Sequence, residues 1–246
     1  MLAYNDVLNE LQDYILDDDN IKKSIATKML YVKNEKPNNI IIKQQVKKPE
    51  LFIPNQQDTL FWCFYIIQNG DIKYETMNNK NSLIARQLKI EFVSNIRKNK
   101  DIIKMYKFDT LTNIESNLAN DDNLNPKTFL ALCAIENINI IYISKKTYFE
   151  LLMNDSNITY IVHELQSQSK YYNKYGFELA TEELLNNIKS SLYKIDAINK
   201  PIKAESSYKV QDIINICNKL AIDIINKDTG KNKSKKDLYE SIIQYF

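Results

Sequence analysis

Glycine is almost missing from this chain, with only Gly70, Gly176 and Gly230 among 246 residues. None has a partner at the spacing of the G-x-G-x-x-G or G-x-x-x-x-G-K loops that cradle phosphates, which argues against nucleotide hydrolysis and dinucleotide redox chemistry. Histidine occurs once, as His163. Multi-histidine metal sites are therefore excluded, one imidazole remains for any acid–base step, and neither a metal nor a cofactor is expected. The three cysteines, Cys63, Cys133 and Cys217, cannot close a set of disulfides and lack the spacing of zinc ligands, so a reducing compartment is expected. Arginine is limited to Arg86 and Arg97, which leaves lysine as 31 of the 33 basic residues. Together with the abundance of Asn, Ile and Tyr, this is the mark of A+T-rich coding, so a high lysine number is weak evidence for phosphate binding.

Long apolar runs are missing too. No stretch approaches the roughly 18 apolar residues of a membrane span. Met1 to Asn20 carries Asp17, Asp18 and Asp19 where a secretory signal would have a basic start and an apolar run. The expectation is a soluble intracellular protein that does not engage membranes. A net charge of +2 provides no global field for a polyanion, so any nucleic-acid contact must be a local patch.

What is present suits a globular domain with an appendage, since hydrophobic residues make up 44% and charged residues 26%. Residues 1–53 read as an amphipathic helix, with Tyr4, Val7, Leu8, Leu11 and Ile15 at helical spacing, followed by a basic, proline-containing connector. From Asp58 to Gly70 the chain is apolar all round (Thr59-Leu60-Phe61-Trp62-Cys63-Phe64-Tyr65-Ile66-Ile67), with Asp58 placed to cap and Asn69-Gly70 to stop a central buried helix. Ser82 to Lys107 reads as one long helix with a lysine-rich outer face. Two further helices follow at Asp109 to Leu118 and Pro126 to Glu136. Short β-branched runs at Ile138 to Ile143 and Ile158 to Val162, then Tyr171 to Leu179, read as strands, and Glu182 to Tyr193 as a closing helix. Helices followed by clustered strands predict an α+β domain over 54–198. Asn199 to Ser207 reads as a linker, and 208–246 as a separate pair of helices. The acidic clusters Asp121-Asp122, Asp17 to Asp19 and Glu182-Glu183 lack the alternation of calcium loops and read as caps and solvated faces.

The terminal pair carries the more specific signal. Tyr208-Lys209-Val210-Gln211-Asp212-Ile213 and then Lys231-Asn232-Lys233-Ser234-Lys235-Lys236-Asp237-Leu238 resembles the SAP family of small helix-extended-helix DNA-binding modules. Ser234 is placed to cap the second helix, with Asp237 completing a capping box. Unpaired N–H groups at that helix start, beside Lys231, Lys233, Lys235 and Lys236, suit phosphate oxygens of low sequence specificity.

Cys63 and His163 occur in the order that papain-like cysteine peptidases use, although Cys63 lies a full turn beyond the cap, where the helix start no longer acidifies a thiol. Asn55-Gln56-Gln57-Asp58-Thr59-Leu60-Phe61, with Phe129 to Ala134 leading into Asn139 to Ile143, resembles the ovarian-tumour (OTU) branch of the papain-like fold. The resemblance implies a helical bundle on a small antiparallel sheet. It also implies that Thr59 stands where the nucleophilic cysteine would precede Leu-Phe, and that Tyr172, Asn173 and Lys174 stand where the histidine would be. The sequence as a whole resembles proteins of large nucleocytoplasmic DNA viruses. Three readings follow: a non-catalytic accessory or virion scaffold that binds DNA and further viral or host proteins, a cysteine peptidase or deubiquitinase using Cys63 and His163, and a purely structural assembly protein.

Overall fold

The computed structural model describes residues 51–165, 174–226 and 230–246, all within one compact unit, 49–246. The expected N-terminal helix and most of the basic connector, together with Tyr172 and Asn173, lie outside the described residues.

Helix α1 (Thr59–Asn69) buries Thr59 through Ile66, eight residues in succession. Its aromatic and β-branched residues are mediocre helix formers, differing from alanine by a few tenths of a kcal/mol each. Burial of a large apolar side chain contributes about 1.5–3 kcal/mol, so packing rather than propensity makes this helix. Asp58 caps it, Oδ1 accepting from Phe61 N at 3.3 Å. Gly70, at φ 84°, ends it by donating to Ile66 O at 2.7 Å, a backbone conformation that costs glycine little. The short α2 (Asp71–Thr76) follows directly.

The long helix expected over Ser82 to Lys107 is two helices, α3 (Ser82–Lys98) and α4 (Lys100–Tyr106). Asn99 divides them: at φ −108° and ψ 27° it leaves helical geometry, while its backbone N–H and its side-chain amide both donate to Asn95 O, at 3.1 and 2.9 Å. Helices α5 (Leu111–Asn120) and α6 (Pro126–Ile135) complete the helical layer, the latter with Asn125 as cap and Pro126 in its first turn.

Five strands form one sheet in the order β4-β3-β1-β2-β5: β1 (Ile140–Ser144), β2 (Thr147–Leu151), β3 (Tyr160–Leu165), β4 (Lys174–Leu179) and β5 (Tyr193–Ile195). The sheet is mixed, which corrects the antiparallel sheet expected: β1 is parallel to β3 and β2 to β5, while β1–β2 and β3–β4 are antiparallel. The cause is the segment between β2 and β3, which passes to the far side of β1 instead of continuing a meander. Asn139, 2% exposed, holds it there. Its Oδ1 accepts from Met153 N at 2.7 Å and Asn154 N at 3.1 Å, and its Nδ2 donates to Asn154 O at 3.1 Å and Ser156 O at 3.3 Å.

Alternation gives the sheet two faces. Ile140, Tyr142, Phe149, Leu151, Val162, Tyr175 and Phe177 join the core beneath the helices, while Ile141, Ile143, Tyr148 and Ile161 pack with Ile188 of α7 (Glu182–Ser191). At the β4 edge, Phe52 bridges Phe177. Gly176 permits this approach, since a Cβ there would lie 3.0 Å from both Phe52 O and Ile53 Cγ1. Helices α8 (Val210–Leu220) and α9 (Lys235–Tyr245) pack through Ile213, Cys217, Leu220, Leu238 and Ile242, and Ile202 joins them from the preceding segment. Among the described residues no helix is long and apolar enough to cross a membrane.

Candidate functional site

Two helix starts are the places where this fold could present chemistry, and the sequence singled out both. At the first, Asp58 is 6% exposed, and beyond capping α1 its Oδ2 accepts from Leu124 N at 3.0 Å and pairs with Lys89 Nζ at 2.5 Å. Lys89, 2% exposed on α3, also donates to the carbonyls of Asp122 at 2.9 Å and Asp121 at 3.3 Å, and its ammonium lies 5.6 Å from the Phe61 ring centre. Burial pushes the Asp58 carboxyl above its usual range, with Lys89 and the two N–H donors pulling in the opposite sense. Lys89 thus ties α1, α3 and the segment before α6 together. Nothing in the sequence marked it among so many lysines; the available signal was a lysine on the otherwise apolar face of a helix.

Thr59, the first residue of α1, is 2% exposed, and its Oγ1 accepts from Tyr175 N at 2.9 Å. The start of α1 therefore abuts the start of β4, where Lys174 is the exposed first residue.

Cys63 and His163 are not brought together. Cys63 is fully buried in the core on the helical side of the sheet, and burial, reinforced by the charge of Asp58, pushes its thiol far above the usual range. His163 shares the opposite face with Ile161, because it is two residues along β3. There its Nε2 lies 2.8 Å from Glu178 Oε1. The sheet itself separates thiol from imidazole. Cys133 and Cys217 are buried as well. Among the described residues no three His, Cys, Asp or Glu side chains gather as a metal-binding group.

The second helix start is open. Ser234 Oγ accepts from Asp237 N at 3.2 Å, and Ser234 N donates to Asp237 Oδ2 at 3.2 Å, a reciprocal capping box. The hydrogen bonds from Ser234 hold the Asp237 carboxyl below its usual range. Lys231 and Lys236 are exposed, Lys233 and Lys235 half-buried. Lys236 Nζ lies 4.0 Å from Glu240, and Lys233 Nζ 3.5 Å from Ser241 Oγ. The opposite end of α9 rests on the body, with Lys146 N donating to Tyr245 Oη at 2.9 Å and Lys145 Nζ to Tyr245 O at 3.3 Å. A helix of this length spans about 16 Å, so the lysines project from the end remote from that contact.

Two clefts accompany these features. One of about 410 Å³ opens beside the start of α1, floored by Asp58, Trp62 and Lys89 and rimmed by Lys80 and Arg86. Another of about 430 Å³ lies where the end of α9 meets the sheet, lined by Tyr142, Phe149, Ile195, Ile198, Tyr245 and Phe246. Here Tyr142 donates to Glu164 at 3.2 Å, and burial, with Tyr175 and Glu164 beside it, drives its phenol far above the usual range. On the lysine-rich outer face of α3, Arg97 pairs with Glu115, its Nε donating at 2.9 Å and its second nitrogen at 3.0 Å. Compared with protein-family models, with curated proteins and with solved structures, the chain matches none.

Proposed function

We propose that this chain is a non-catalytic accessory or scaffold protein, of the kind that large nucleocytoplasmic DNA viruses place in the host cytoplasm or the virion. In this reading its papain/OTU-like body presents partner-binding surfaces to viral or host proteins. Its SAP-like terminal pair binds DNA through the phosphate backbone with low sequence preference. The observation that carries the reading is the open start of α9, where Lys231, Lys233, Lys235 and Lys236 surround a helix N-terminus fixed by Ser234 and projecting from the far end of the docked helix. Such an arrangement offers N–H groups, a partial positive charge and ammonium groups to one phosphate strand. The body fits a scaffold because the first position of α1 holds a buried threonine whose hydroxyl oxygen accepts from Tyr175 N.

The test is salt-dependent binding of the full chain to a random-sequence duplex. Retention at low salt should fall with a log–log slope of about −0.9 per phosphate contacted. Replacing Lys233, Lys235 and Lys236 together with alanine should flatten that slope by up to about 2.7 on the same basis. No retention at low salt, or an unchanged slope in the triple variant, refutes the tether. Labelling of Cys63 by a thiol-directed ubiquitin probe would favour the peptidase reading instead.

A further inference from the structure

The segment 199–207 reads in the sequence as a linker, yet it is fastened to α9. Tyr239 Oη donates to Lys203 O at 2.8 Å, and Lys203 N donates to Tyr208 Oη at 3.1 Å. Next to these bonds Ile202 is buried among Ile213, Leu238 and Ile242. Backbone on both sides of Lys203 is thereby immobilised, while its side chain remains 67% exposed. The nearest anion is Asp196, at 3.7 Å and itself 73% exposed. An exposed pair of this kind is worth at most about 1 kcal/mol and yields readily to a stronger anion.

Where Lys203 sits relative to the α9 lysines follows from helix geometry. At about 100° per residue, Lys235 and Lys236 fall roughly 40° and 60° to either side of Tyr239, one turn nearer the helix start. Leu238 and Ile242, the buried residues of α9, fall on the Lys235 side of Tyr239, which half-buries Lys235 and leaves Lys236 on the open side. The backbone of Lys203 lies against the Tyr239 hydroxyl, so Lys203 borders the open flank of α9 from which Lys236 projects.

We propose that the nucleic-acid surface continues from the start of α9 onto the 199–207 segment, with Lys203 as a further phosphate contact and Tyr239 and Tyr208 as positioning residues. This rests on the DNA-binding reading above. The partner is the sugar–phosphate backbone of a duplex, since the groups that carry the surface are lysine ammonium groups, which meet phosphates as point charges. Phosphates alongside Lys203 displace Asp196 and leave the segment in place, since the two tyrosine hydroxyls hold Lys203 by its backbone N and O and not by its side chain.

The experiment compares salt slopes for the full chain on a random-sequence duplex. Lys203→Ala should reduce the slope by about 0.9, as one lost phosphate contact does, and Lys236→Ala serves as the reference for the same loss on α9. Tyr239→Phe keeps the ring packed but removes the hydroxyl from Lys203 O. It should weaken binding at a fixed salt concentration in the wild-type chain while leaving Lys203→Ala unaffected. Asp196→Ala removes the competing anion and should tighten binding. If Lys203→Ala keeps the wild-type slope while Lys236→Ala lowers it, the extension is wrong and the α9 surface stands. If neither changes the slope, both are wrong. A Tyr239→Phe effect that persists in the Lys203→Ala background overturns the positioning role.

Discussion

Helices α1 and α9 begin alike and differ in everything around their first turns. Each starts at a capping oxygen, Asp58 Oδ1 receiving Phe61 N and Ser234 Oγ receiving Asp237 N. At α1 the cap is buried at the floor of a cleft and paired with Lys89, and the following residues fill the core. At α9 the cap stands in water among lysines. The same local device therefore serves packing in one place and leaves a charged surface free in the other. Burial, not the capping motif, decides which.

The largest effect expected from breaking this contrast is at Lys89. Lys89→Ala leaves the Asp58 carboxylate buried without its counter-ion, a loss of about 3–5 kcal/mol that denaturant unfolding should register. A loss below about 1 kcal/mol would mean that Asp58 is not buried as described. Next, Thr59→Val keeps the shape but strips the acceptor from Tyr175 N. It should cost about 1–3 kcal/mol, and wild-type stability in that variant would place the strand start free of α1. At the open end, Ser234→Ala should cost about 1 kcal/mol, read as faster hydrogen exchange in α9 with the body unaffected. Equal acceleration in α1 would contradict a locally confined cap.

The smallest effect, and the sharpest discriminator, is acid titration of the two aspartates. Asp58 is raised by burial and Asp237 lowered by the Ser234 hydrogen bonds, so carboxyl ¹³C shifts should place Asp58 above 3.8 and Asp237 below it. A raised carboxyl contributes stability that is complete below 3.8 and lost as pH climbs through its folded value. A lowered carboxyl contributes stability that is present above 3.8 and lost as pH falls. Asp58→Asn should accordingly flatten the stability profile on the alkaline side of 3.8, and Asp237→Asn on the acid side. Reversal of the titration order would overturn the contrast between buried and open.

How much of this was legible varies with the distance over which each feature is decided. The caps at Asp58 and Ser234 and the stop at Gly70 depend on a few neighbouring residues, and the structure has them where the pattern places them. The division at Asn99 escaped because an amphipathic pattern runs straight through it, while the turn of its backbone out of helical geometry shows only in three dimensions. Strands β2 and β5 were missed for different reasons. Thr147 to Leu151 lacks the β-branched run that marks β1 at the same length, and Tyr193 to Ile195 becomes a strand only by pairing with β2, directly after a helix whose pattern runs on to Tyr193. Lys89 was one lysine among many until Asp58 faced it.

Composition and spacing by themselves determined that the chain is α+β, that its aromatic segment near residue sixty is interior, and that the lysines near its end flank a capped helix. These are consequences of local periodicity and of apolar area seeking burial. Only the tertiary structure decided that β3 crosses to the far side of β1, that the sheet stands between Cys63 and His163, and that Lys203 is fastened beside α9. Each of those depends on hydrogen bonds and packing between residues far apart in the chain, for which a sequence carries no spacing to read.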